Sequence, residues 1–182
     1  MANALLFHQD PYTMSFDEAG NGFESFYSYK PEFMGNLNVT LFTFKSGKMW
    51  KHKSSTYCNF YGVQYSTHIT TVFNSVALDK KTWISVMETG NTIWNCPVIY
   101  TQMNSYGTTR QESNLIDADF EVLESEYHAS FLRDTNSQGG LLNGDSLKGG
   151  FIVIKFEKSN ANSFVYLNSA TTKFINSPLN AR

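Results

Sequence analysis

Nucleophilic, acid–base and metal chemistry each need particular residue types at particular spacings, and this chain offers the types without the spacings. Four histidines, His8, His52, His68 and His128, are scattered far apart. Serines are plentiful, but no GxSxG elbow presents one as a nucleophile. Glu121, Glu124 and Glu126 come nearest to a paired-carboxylate site of the glycosidase kind, with no flanking groove to be inferred. Asp134 and Asp145, with Asn136, Ser137, Asn143 and Ser146, are oxygen ligands of the sort calcium takes. The EF-hand spacing is absent, and capping of turns is their plainer use. Cys58 and Cys96 have no CxxC partner, so no zinc site can be drawn from them. Two buried free thiols is a plainer reading than one disulfide. The motifs GxxxxGK[ST] and GxGxxG are missing, and Leu147-Lys148-Gly149-Gly150 precedes a strand rather than the helix N-terminus an anion needs. The sequence therefore predicts no enzyme, no cofactor and no metal.

Aromatic residues offer a different chemistry, contact. Trp50, Trp83 and Trp94, with Tyr27, Tyr57, Tyr61, Tyr65, Tyr100 and Tyr106, are candidates to stack on sugars, or else to fill a core or an interface. Phe23, Phe26, Tyr27, Tyr29 and Phe33 are too dense for one ordinary strand face. Some of them are expected to anchor a neighbouring subunit, as aromatic hot spots do, while at least half fill the core.

The elements that must position these residues read as strands. Val39–Lys45 and Lys48–His52, joined by Ser46-Gly47, predict a tight hairpin. Lys45, Lys48, Lys51 and Lys53 decorate it, as lysines often do at a sheet edge. Lys81–Met87 and Thr92–Tyr100 predict a second hairpin turning at Glu88-Thr89-Gly90-Asn91, with Pro97 marking an edge or a bulge. Tyr61–Asn74 alternates imperfectly. Phe151–Phe156 is the strongest strand, with Ile152, Ile154 and Phe156 on one face. Phe164–Leu167 is expected to answer it, and Thr171–Ile175 to add another. Phe120, Leu123, Tyr127 and Phe131 sit at helical spacing, yet the same stretch alternates, and its neighbours favour strand. Tyr100–Asn114 and Asp134–Gly150 read as loops, the second Gly-rich and long enough to suggest a contact role. The fold class expected is all-β: antiparallel hairpins in a sandwich or barrel-like arrangement. One β-rich domain over 1–182 is expected, with 1–35 as a candidate extended arm.

Composition limits the partners. Charged residues are 16% of 182, below the usual quarter, and the surface must be covered largely by Asn, Ser and Thr. A net charge of −2 provides no global field for nucleic acid or anionic lipid. No apolar run is long enough for a transmembrane helix, and the first eight residues do not read as a secretory leader. Neither a membrane nor sequence-specific nucleic acid is an expected partner. Charge is nonetheless uneven: residues 101–130 carry net −5, against the lysine-bearing hairpin. Opposed patches suit self-assembly in a ring or stack, and equally a solvated surface.

Several strings together resemble a known family. They are Met14-Ser15-Phe16-Asp17-Glu18, Gly22 through Met34, Phe42 through His52, and Asn59-Phe60-Tyr61-Gly62, with Phe131 through Ser137, Asp145 through Gly149 and the ending Ser177-Pro178-Leu179-Asn180. This series resembles the muzzle or nozzle (tail-tip) structural proteins of crAss-like, podovirus-like tailed bacteriophages, over most of the chain. The resemblance implies a multi-copy virion component near the tail exit channel, assembled in the bacterial cytoplasm with copies of itself and other tail proteins, and without enzyme activity. Proteins of that family are much longer, so a portion, a processing product and a small paralogue all fit. On this reading the candidate interface comprises Phe23, Phe26, Tyr27, Tyr29, Phe33, Lys45, Lys48, Trp50, Lys51, Glu121, Glu124 and Glu126. The alternative is a carbohydrate-binding module that recognises a host glycan.

Overall fold

The computed structural model describes residues 13–52, 55–77, 79–103, 110–134, 144–159 and 163–177. Among them the chain is β throughout, in antiparallel pairs, with a single 3-10 turn at Asp117–Asp119. Contacts gather into two compact units, Met1–Tyr65 and Ser66–Arg182.

In the first unit, β1 (Thr13–Asp17) pairs with β2 (Gly22–Tyr27), and β3 (Phe33–Leu37), β4 (Thr40–Lys45) and β5 (Lys48–Lys51) form a three-stranded sheet. β6 (Asn59–Phe60) and β7 (Val63–Gln64) make a short hairpin. Of the expected arm, Thr13–Asp17, Gly22–Tyr27 and residues 33–35 thus lie in β1, β2 and the start of β3. The hairpin read from Ser46-Gly47 is present: Lys45 faces Lys48, and both turn residues take positive φ, +52° and +71°. That pair of angles matches the twist of the strands it joins. Glu124-Ser125 turns the same way in the second unit.

The second unit has two sheets. The first runs β11 (Arg110–Leu115), β10 (Asn95–Met103), β15 (Ile152–Lys158), β8 (Thr67–Phe73). The second is centred on β9 (Lys81–Gly90). β16 (Leu167–Asn176) lies along one edge of β9, and β13 (Glu126–Ser130) and β14 (Lys148–Gly149) share the other, with β12 (Glu121–Leu123) outside β13. Ile152, Ile154 and Phe156 from β15, with Cys96, Ile99 and Leu115, meet Trp83, Val86 and Ala129 of the other sheet in one continuous core. This is the sandwich-like form of the expected fold. Full burial of each large aliphatic or aromatic side chain there contributes roughly 1.5–3 kcal/mol.

Three expectations are corrected here. Lys81–Met87 and Thr92–Tyr100 do not form a hairpin: β9 and β10 belong to different sheets, and the chain crosses between them at Asn91–Trp94. Glu88, read as a turn residue, is buried in β9 and ties that crossing together. Its Oε2 accepts the Trp94 N–H at 3.0 Å, and its Oε1 accepts the Cys96 thiol at 3.6 Å. Phe164–Tyr166 is not strand and does not answer β15. Asn91 holds it instead, donating from Nδ2 to the Phe164 carbonyl at 2.8 Å and accepting from the Tyr166 N–H at 2.9 Å, after which β16 runs along β9.

Pro97 marks a bulge, not an edge. β10 lies inside its sheet, and both of its ladders slip at Pro97, because proline has no N–H to give a ladder. The ambiguous stretch from Asp119 to Arg133 is strand, as the hairpin β12–β13.

Candidate functional site: two outward apolar faces

The first unit buries little of its own apolar surface. Tyr29 is its one buried apolar residue among those described. Around it lie the rings of Phe60 at 4.6 Å, His52 at 4.8 Å, Tyr27 at 5.4 Å and Tyr61 at 6.0 Å. Burial pushes the Tyr29 hydroxyl above its ordinary pKa, with Tyr27 and Tyr61 adding to the effect, and burial pushes His52 down. Tyr61 sits at φ +55°, an unusual conformation for a bulky residue. It is held by its Oη–H, which donates to Thr43 Oγ1 at 3.0 Å, and by Trp50, whose ring lies edge-on at 5.5 Å. Thr43 Oγ1 also pairs with His52 Nε2 at 2.8 Å. Beside this cluster lies an open cavity of about 220 Å³, whose lining includes Trp50, His52, Tyr57, Asn59, Phe60 and Tyr61.

Two of the expected interface residues, Tyr27 and Tyr29, therefore belong to the unit's own cluster, and Trp50 is half-buried against it. Phe23, Phe26 and Phe33 do not. Phe23 and Phe26 are three apart in β2, so strict alternation would put them on opposite faces. The ladder slips between Ser15 and Phe16, pairing Phe16 with Phe23 and Met14 with Phe26 and leaving Glu24 as the extra residue. Residues directly opposite each other share a face, so Met14, Phe16, Phe23 and Phe26 form one apolar surface, with Phe23 66% and Phe26 70% exposed. Phe16 and Phe23 meet edge to face at 5.2 Å.

The three-stranded sheet has a second such surface. Phe33, Phe44 and Met49 lie opposite one another in successive strands, and Leu37 and Lys51 share their face by alternation. Phe33, Leu37 and Met49 are each more than three-fifths exposed. Lys45 and Lys48 stand directly opposite on the other face, with Glu32 at 3.9 Å from Lys45. The glutamates of the expected interface lie in the second unit, on the hairpin β12–β13. Glu121 and Glu124 are exposed, and Glu126 lies 3.4 Å from His128.

Other candidate positions serve the fold. Trp83 and Trp94 are core residues, so neither presents a face to a sugar. Asp134 Oδ1 accepts the Glu112 N–H at 3.0 Å, and the Asp134 N–H donates to the Asp145 carbonyl at 2.9 Å, which closes the base of the Gly-rich loop. Asn136, Ser137, Asn143 and Tyr106 lie outside the described residues. No group of three metal-ligating side chains occurs among the described residues, and no helix there is long and apolar enough to cross a membrane. Both cysteines are free, Cys96 buried and Cys58 half-buried.

Sequence reasoning missed Met14, Phe16, Leu37 and Met49. Their apolar character was visible, but their face depends on the pairing register. It also missed buried Lys81, whose Nζ donates to the Gly150 carbonyl and lies 5.6 Å over the Trp83 ring and 5.5 Å over that of Phe174. No family model matches the chain, and no curated protein matches it in sequence.

Proposed function

We propose that this chain is a structural protein of a tailed-bacteriophage virion, a non-enzymatic component of the tail (muzzle or nozzle) assembly around the DNA exit channel. The observation that carries the assembly part is the outward display of Phe23, Phe33, Leu37 and Met49 on two sheets of one small unit. Apolar surface gathered on this scale marks an interaction site. The virion part rests on the sequence strings that resemble tail-tip proteins. The chain's partners on this reading are copies of itself and other tail proteins, and it resides in the virion. Mass spectrometry of intact virions of the encoding phage is expected to find the chain in multiple copies per particle, and gold-labelled antibody to decorate the tail. Absence from intact particles overturns the reading.

One observation favours a second reading, a module that binds host glycan. The cavity beside Trp50 combines aromatic walls with His52 and Asn59, the pairing of ring faces and polar groups that sugars use. Glycan-array binding that disappears in Trp50→Ala would support it, and an array without binding would remove it.

A further inference from the structure

Two exposed surfaces of this chain carry the same combination, apolar centre and charged border, with opposite sign. The first is the outer face of β3–β5. Phe33, Leu37 and Met49 form its centre, and Lys51 lies on the same face. Lys51 is exposed, and among the described residues no carboxylate lies within ion-pair reach of it.

The second surface is the tip of β12–β13, at the edge of its sheet. Glu121 and Leu123 share a face by alternation, and Glu124 begins the turn. Leu123 is 52% exposed. No lysine or arginine lies within ion-pair reach of Glu121 or Glu124 among the described residues, and both side chains are exposed. Exposed Ile116 lies close by in the chain, and Asp117 and Asp119 add further negative charge there.

We infer that these surfaces are the two halves of one contact between copies. Leu123 of one copy seats on Phe33, Leu37 and Met49 of the next, with Glu121 and Glu124 against Lys51. The apolar centre contributes affinity, and the charges set partner and orientation. The two halves differ, so the contact is head-to-tail, and its repetition gives a closed ring or an open stack. This inference rests on the assembly reading above and adds to it the partner and the surfaces used.

The test uses three proteins: the full chain, Lys51→Glu, and Glu121→Lys/Glu124→Lys. Native mass spectrometry and sedimentation velocity are run at low and high salt. The full chain is expected to form species larger than the monomer, and high salt to weaken them. Each charge-reversed variant is expected to associate more weakly by roughly tenfold or more, while far-UV circular dichroism and the unfolding midpoint stay unchanged. Mixing the two variants restores association, because each supplies the surface the other has reversed. Leu123→Ser gives a loss that salt does not alter.

A full chain that stays monomeric up to its solubility limit overturns the inference. So does assembly that both variants retain, or a mixture that does not recover. Failure here leaves the virion reading to the composition of intact particles, which it does not touch.

Discussion

The two units use aromatic and aliphatic side chains in opposite ways. The unit from Ser66 closes two sheets over Trp83, Ile99, Leu115, Ile154 and Phe156, all nearly inaccessible. The unit up to Tyr65 wraps a small aromatic cluster around Tyr29 and turns Phe23, Phe33, Leu37 and Met49 outward. Burial of apolar surface is the dominant favourable term in folding and in most association. The second unit has drawn on that term for its closed core, while Leu123, Phe164 and Ile175 still face outward. The first has left much of it available, which is the condition for assembling with something else.

A matched pair of leucines tests the contrast most sharply. Leu115→Ala, in the closed core, is expected to cost about 2–5 kcal/mol in urea denaturation followed by circular dichroism. Leu37→Ala, on the outward face, should stay within about 0.5 kcal/mol. Equal effects would break the distinction between the two units.

The next effect is a pH dependence that Glu88 gives the closed unit. Burial raises Glu88 from its ordinary 4.5 to about 7, against the opposing pull of the Trp94 N–H, the Cys96 thiol and Lys158. The folded chain therefore holds this proton more tightly than the unfolded chain does. The stability that follows is complete below about pH 4.5 and is lost as pH rises through about 7, roughly 3 kcal/mol in all. Glu88→Gln should flatten this part of the profile. Urea midpoints of both proteins at about pH 5 and about pH 8 check it. A wild-type profile that falls no more steeply than that of the variant would remove Glu88 as the cause.

Two glycines give a smaller comparison. Gly47 and Gly144 both take positive φ, +71° and +68°. A Cβ at Gly47 meets open space, whereas one at Gly144 presses into the Asp134 carbonyl. Gly47→Ala should cost about 1 kcal/mol, and Gly144→Ala should cost clearly more, by thermal unfolding of the two variants. The smallest effect is chemical. Burial raises both thiols, and Glu88 raises Cys96 further through its charge and hydrogen bond. A thiol reagent should therefore modify half-buried Cys58 first and reach Cys96 only as the second unit opens. Equal labelling rates in the native chain would contradict this order.

Much of the local structure was legible. Ser46-Gly47 announced its turn, because glycine beside a small polar residue accepts two positive φ angles. Ile152, Ile154 and Phe156 announced a buried strand face. The outward faces were less legible for a specific reason. Alternation predicts a face only while the ladder keeps its phase, and it slips at Glu24, at Ile84 and at Pro97. The slip at Ile84 lets Trp83 and Val86 both point into the core, and the slip at Glu24 lets Phe23 and Phe26 both point out. Only Pro97 carries a visible sign, its missing N–H.

The sequence by itself determined that the chain is β-rich, which segments extend, where several tight turns fall and where charge of each sign collects. Those properties follow from backbone preferences and from side-chain types a few residues apart. Tertiary structure decided which strands pair, and so which faces close and which stay open. β9 and β10 looked like a hairpin and lie in different sheets, because Glu88 bonds across the crossing to Trp94, Asn91 bonds to Phe164, and long-range packing fixes their strands' partners. Pairing over 76 intervening residues between Gly90 and Leu167 at one end of β9, and over 94 between Lys81 and Asn176 at the other, leaves no local trace in the chain.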